Sequence, residues 1–187
     1  MKKSLDWYSI RLIGKSKLSN SMYYWLFIVP IAAKVLSEIN EDIRMKIFGQ
    51  DFNFIFSLPF NWKMFFFSAL FFSIGNVIFN LFCPKIIKDH LTLSGFTGDG
   101  KFEDHLHDYA KDINSKFENF SGWGDSHTND ERALNEHIRN SFWRIYNEGK
   151  LSRSAPRIIS GFSYMIGFIL LAIVILRGAF WVIKSMI

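Results

Sequence analysis

The chain has 187 residues, 49% hydrophobic and 18% aromatic, with 21 phenylalanines and a formal net charge of +5. Its apolar residues are gathered into blocks long enough to cross a bilayer, which takes about 20 residues as a helix, and this excludes an ordinary soluble globular protein. The single cysteine, Cys83, excludes an internal disulfide and a paired-thiol redox or metal motif.

Residues 1–21 carry Lys2, Lys3, Arg11, Lys15 and Lys17 against Asp6. Leu5, Trp7, Tyr8, Ile10, Leu12 and Ile13 are interleaved with these bases. The segment reads as a basic amphipathic cytoplasmic arm, a short helix lying on an anionic leaflet.

Residues 22–83 read as two transmembrane helices joined by an outer aromatic loop. The first is "MYYWLFIVPIAAKVL", Met22 to Leu36, with an aromatic belt at Tyr23, Tyr24 and Trp25 and a helix-weakening Pro30. The long polar lead, with no small-residue cleavage site after the block, makes it an uncleaved anchor rather than a signal peptide. The second runs from about Met64 to Phe82, between Trp62–Lys63 and Pro84–Lys85. The loop "IFGQDFNFIFSLPF", Ile47 to Phe60, is too aromatic to be free. It is expected to lie in the outer headgroup region or dip in as a re-entrant fourth element, since Asp51, Asn53 and Pro59 argue against a full span.

In the second span Ala69, Ser73, Asn76 and Asn80 step by four, three and four, which places them on one helical face. In the third hydrophobic block, Ile158 to Ile183 within residues 158–187, Ser163 and Gly167 form a small-xxx-small pair beside Ser160. Small residues let helices approach, and asparagines hydrogen-bond across the contact. The stripe Ala69, Ser73, Asn76, Asn80, Ser163 and Gly167 then has three readings. It packs helices within one chain, packs subunits of a homo-oligomer such as a tetramer, or lines a pore.

Residues 84–157 read as a small cytoplasmic helical hairpin. Phe102, Leu106, Tyr109, Ile113, Phe117 and Phe120 form an apolar stripe at helical period, bounded by "TGDG" and "SGWG". A second helix follows, with Thr128 and Glu131 as a capping box, an apolar stripe through Leu134, Ile138, Phe142, Ile145 and Tyr146, and Gly149 as its stop. A hairpin of about 50 residues is too small for a self-sufficient core. Phe102, Leu106, Tyr109, Ile113, Phe117, Leu134, Ile138, Phe142 and Trp143 are therefore expected to dock against a membrane-proximal surface, a neighbouring subunit or a cytosolic partner protein.

The basic residues fix an orientation. With the N-terminus and both ends of residues 84–157 inside, the basic arm, Lys85, Lys88, Lys150, Arg153 and Arg157 are cytoplasmic. Lys34 and Arg177 then approach the outer face. They either snorkel toward Glu38, Glu41 and Asp42 or line a charged vestibule.

No catalytic pattern accompanies these features. In "EDHLHD", Glu103 or Asp104 shares a helix face with His107 and could hold a metal, but no second ligand pair follows, and a solvated face is the reading preferred. "GFTGDGK" lacks phosphate-loop spacing and reads as a turn. Acidic residues offset the bases of 85–157, so no nucleic-acid face is expected. No cofactor is implied.

Two stretches, "LFCPKIIKDH" and "RIISGFSYMIGFILLAIVIL", together with the size and layout, resemble small bacterial inner-membrane proteins of phage-defence operons, such as the membrane-subunit family of the Kiwa system. That resemblance implies an oligomeric envelope sensor working with a cytosolic DNA-binding partner; it assigns no functional residue. The chain is thus expected to be an all-α integral membrane protein with three transmembrane helices. Its expected function is that of a non-enzymatic sensor or scaffold in the bacterial inner membrane, touching lipid and a partner protein. The alternatives are a pore or depolarising effector and a membrane-bound metal enzyme using Glu103, Asp104 and His107.

Overall fold

The computed structural model describes residues 5–38, 43–47, 50–54, 62–119 and 127–186. These residues are overwhelmingly helical. In chain order they form α1 (Trp7–Gly14), α2 (Lys17–Glu38), β1 (Ile43–Ile47), β2 (Gln50–Phe54), α3 (Trp62–Phe82), α4 (Lys85–Asp89), α5 (Leu93–Gly98), α6 (Glu103–Asp112), α7 (His127–Leu151) and α8 (Ser154–Met186). The chain divides into two compact units, one of residues 1–12 and 78–159, the other of residues 13–77 and 160–187.

Local chemistry sets the helix ends. Asp6 opens α1 by accepting the Ser9 N–H at 2.9 Å, as an N-cap carboxylate does. Thr92 opens α5 by accepting the Gly95 N–H at 3.1 Å. Pro84 separates α3 from α4, because a proline fits before a first turn but not inside a helix. α6 stops at Asp112, and Asn114 follows in the left-handed region at φ 55°. The continuous helix expected through Phe120 therefore ends about two turns early. α7 runs through Gly149 to Leu151 and ends before Arg153, at φ 49°.

Gly149 is therefore not the expected stop. It is buried in the helix, and a Cβ there would meet Ile86 Cγ2 at 3.4 Å and Ile87 Cγ1 at 3.7 Å. The glycine lets α4 lie close on α7.

The first unit has a closed core. α4, α5 and α6 pack on α7. Ile86, Ile87, Phe96, Leu106, Ile138, Phe142, Ile145 and Tyr146 are buried between them. The expected hairpin is thus a four-helix cluster, whose extra helices α4 and α5 come from residues assigned to a turn and a membrane exit. The N-terminal arm joins this core through fully buried Trp7 and Ile10, whereas Leu5 and Leu12 are exposed. The Trp7 indole N–H donates to the Ser152 carbonyl at 3.0 Å, and its ring lies 6.2 Å from Phe79. Trp7 and Ile10 of the arm are thus covered by protein.

Among the described residues, two helices are long and apolar enough to cross a membrane by length and composition. One is α3; the other is Ser154–Lys184 of α8, with a mean hydropathy of 2.5 over its best window and 6% of that window buried. Phe162, Ile169, Leu176, Phe180 and Trp181 of α8 are exposed. A core helix of a soluble protein would bury such residues. α2 is as long as α3 but is diluted by Lys17, Ser19, Asn20 and Ser21 at one end and by Lys34 at the other, and it does not reach the same hydropathy. β1 and β2 pair antiparallel, Ile43 opposite Phe54 and Ile47 opposite Gln50. The aromatic loop thus begins as a hairpin, and its continuation to Pro59 and Phe60 lies outside the described residues.

Candidate functional site

The small residues of the second unit form a reciprocal lock between α3 and α8. Ser68 Oγ donates to the Gly167 carbonyl at 2.8 Å, and Ser160 Oγ donates to the Gly75 carbonyl at 2.8 Å. Each serine is followed seven residues later by the glycine that accepts from the other helix, so the helices run antiparallel. Both glycines are needed for the approach. A Cβ at Gly167 would meet Phe72 Cδ2 at 2.9 Å, and one at Gly75 would meet the Tyr164 ring at 3.1 Å. Phe72 lies edge-on to Tyr164 and Phe168, with ring centroids 5.9 and 4.8 Å away.

The predicted stripe falls on this contact. Ala69, Ser73, Asn76, Ser163 and Gly167 are buried. Ser73 Oγ donates back to the Ala69 carbonyl at 2.9 Å, and the Asn76 side chain is hydrogen-bonded to the Tyr23 hydroxyl of α2. These residues are buried within the single chain. Asn80, which belongs to the first unit, is exposed. Ser68 and Gly75 were absent from the predicted stripe. The paired seven-residue serine–glycine spacing, once in each block, is the signal that would have found them.

Lys34 and Arg177 are both exposed. Glu41 and Asp42 lie outside the described residues, as do the side chains of Glu38 and Thr128, all of Phe120 and the "SGWG" segment.

Four of the nine predicted docking residues are core. Leu106, Tyr109, Ile138 and Phe142 are buried in the first unit; Ile113, Phe117 and Leu134 are half-buried. Burial among α4 to α7 covers Leu106, Tyr109, Ile138 and Phe142. Phe102, at 62% exposure, and Trp143, at 40%, remain on the surface. In the acidic–histidine cluster, Glu103 faces His137 of α7 at 3.6 Å, and His107 packs edge-on to Phe117. Asp104 and His105 are exposed, and His105 Nδ1 accepts the Phe102 N–H.

A polar network not foreseen in the sequence closes the α4–α6 side of the first unit. Tyr109 Oη donates to Asp89 Oδ2 at 2.9 Å and accepts from Lys101 Nζ at 2.6 Å. Lys101 Nζ also lies 3.0 Å from His90 Nε2. An ammonium has only donors, so Nε2 is the acceptor and the proton sits on Nδ1, which faces Asp99 Oδ2 at 3.4 Å. His90 is 3% exposed, between the rings of Phe96 and Tyr109. Burial and the Lys101 charge lower its pKa, outweighing Asp89 and Asp99. Burial, the bond to Asp89 and the Asp89 charge raise that of Tyr109. Donors and acceptors are matched inside the network, so it clamps α4, α5 and α6 together. Sequence reading missed it because its members are scattered over twenty residues and meet only after α5 folds back.

Fold and site together define a helical protein that joins a self-contained polar unit to apolar helices compatible with a membrane. No protein-family model, curated protein or solved structure matches the chain.

Proposed function

We propose that the chain is a non-enzymatic membrane scaffold. Its apolar helices hold it in a bilayer, and its first unit offers a helical surface to a soluble partner protein. The observation that carries this reading is α8, whose apolar segment leaves Phe162, Ile169, Leu176 and Phe180 uncovered, while the first unit closes a core of its own around Phe96 and Phe142. The first kind of surface suits lipid and the second suits water.

α2 completes a three-span anchor, supported by the interhelical hydrogen bond of Tyr23 with Asn76. The distribution of lysine and arginine orients the N-terminus and the first unit to the cytoplasmic side of a bacterial inner membrane. Self-association falls to the exposed faces of α2 and α8, because the small-residue faces of α3 and α8 are already used. The resemblance of the sequence to phage-defence membrane subunits favours a role for the scaffold in antiviral sensing. A pore is the weaker reading, since Asn76 and Ser73 both have partners within the chain.

The test is affinity purification of the tagged full chain in mild detergent from its native host. The reading expects one soluble protein to be retained at fixed ratio and lost with Trp143→Ser or Phe102→Ser. A chain that elutes as a lone monomer with nothing retained overturns it.

A further inference from the structure

The first unit contains buried cationic donors with nothing to donate to. Among the described residues, Arg11 Nε and Nη1, Arg157 Nε and the Tyr146 hydroxyl are buried without a hydrogen-bond partner. Arg11 is 6% exposed, Arg157 9% and Tyr146 1%. Neither guanidinium has an ion pair among the described residues.

These groups are linked by a short chain of contacts. Arg157 Nη1 makes long contacts of 3.4 Å to the carbonyls of Lys150 and Ser152. The same Ser152 carbonyl accepts the Trp7 indole N–H. Lys150 Nζ lies 5.3 Å from the Tyr8 ring centre and 5.0 Å from that of Tyr146. Arg11 is one helical turn beyond Trp7 and close enough to Tyr146 to act on its ionisation, as is Asp6. The Asp6 carboxylate caps α1 at the Ser9 N–H.

A buried guanidinium without a counter-charge is costly, and structures rarely leave such a group unsatisfied. Two guanidinium forks, a phenol and an ammonium supply donors from several directions, the arrangement that recognises a tetrahedral oxyanion. The locus also lies at the ends of apolar stretches. Arg157 is in the first turns of α8, and Cys83, just past the end of α3, feels the Arg11 charge. Basic pockets at that level of a membrane helix bind phospholipid headgroups.

We propose that Arg11, Tyr146, Lys150 and Arg157 form a binding site for a phosphate group, supplied by an anionic phospholipid. The phosphate chemistry stands on the orphaned donors alone; the lipid source rests on the membrane reading above.

Thermal unfolding of the full chain in neutral maltoside detergent, followed by tryptophan fluorescence, tests both. Phosphatidylglycerol in mixed micelles is expected to raise the midpoint in a concentration-dependent way, and phosphatidylcholine is not. Sodium phosphate at constant ionic strength is the second arm. A rise with phosphate and none with phosphatidylglycerol keeps the site and overturns the lipid source, whatever the chain's relation to a membrane. Arg11→Met is expected to melt at or above the parent without anion, because it removes an unpaired buried charge, and to lose the anion-dependent rise. Tyr146→Phe keeps the ring packing and is expected to weaken the rise, which covers the case in which Arg11→Met does not fold. Absence of a rise with either anion overturns the proposal. So does an equal rise with phosphatidylcholine, or a rise unchanged in both variants.

Discussion

Replacing Gly167 by alanine tests the lock between α3 and α8 most directly. The added Cβ would lie 2.9 Å from Phe72 Cδ2, 3.0 Å from Cε2 and 3.4 Å from Cγ. Phe72 is 1% exposed and wedged against Tyr164 and Phe168, so its ring has little room to turn away. The helices must then separate by several tenths of an ångström, which stretches the 2.8 Å bond from Ser68 to the Gly167 carbonyl. Overpacking of this kind costs about 1–3 kcal/mol, and alanine returns about 1 kcal/mol of helix propensity. The expected net loss is up to about 2 kcal/mol by those magnitudes. Gly178 on the same helix is the control. A Cβ there meets nothing within 4 Å among the described residues, so Gly178→Ala keeps only the propensity gain. Denaturant unfolding of the full chain in one detergent, with both variants side by side, should give opposite signs. Adding Phe72→Leu to Gly167→Ala should recover part of the loss beyond the sum of the single effects, as contacting residues do. A Gly167→Ala protein as stable as Gly178→Ala would refute the close contact.

Three further outcomes follow from named contacts. Asn76→Leu strands the Tyr23 hydroxyl and should cost about 1 kcal/mol, whereas Asn80→Leu, at an exposed side chain, should change stability little; equal losses in the same unfolding assay would return both residues to one functional stripe. Cys83 is 1% exposed, and burial pushes its thiol up to about 12. At pH 8 about one thiol in ten thousand is then ionised, against roughly one in ten at the ordinary value, so iodoacetamide should label the folded chain at least about a thousandfold more slowly than the denatured chain. For His90 the sign runs against acid. The unfolded chain takes up a proton near 6.5 and the folded chain only at a lower pH, so stability holds above about 6.5 and falls below it until the folded value is reached, by at most about 1.4 kcal/mol per pH unit. His90→Gln should flatten that slope in urea titrations between pH 7 and pH 5; an unchanged slope would assign the dependence to another group.

The apolar blocks of α3 and α8 were legible because hydropathy is local. A run such as "GFILLAIVIL" has one low-energy environment whatever surrounds it. The amphipathic stripes of α6 and α7 were legible as stripes, but their cover was not. Leu106 and Phe142 announce a buried face; that α4 and α5 supply the cover depends on two short helices of 5 and 6 residues. Helices that short are not stable alone, so their sequences carry little local signal, and packing on α7 decides them. Gly149 misled for a related reason. A glycine near a helix end reads as a stop, yet here the missing side chain serves the approach of Ile86.

The fate of the polar residues in α3 follows from the same competition. A hydroxyl or amide in an apolar helix must find an acceptor, and within lipid only protein supplies one. Ser73 takes the carbonyl of its own helix, Ser68 takes the Gly167 carbonyl, and Asn76 meets Tyr23. The Ser68 bond is available because Gly167 lets its backbone come within reach. Beyond Lys63 at its entry, the exposed residues of α3 in the second unit, Phe67, Ile74 and Val77, are apolar. A helix that lined water would show the reverse, with amides open and large hydrophobes turned inward. The polarity of Ser68, Ser73 and Asn76 is thus a consequence of packing within the chain.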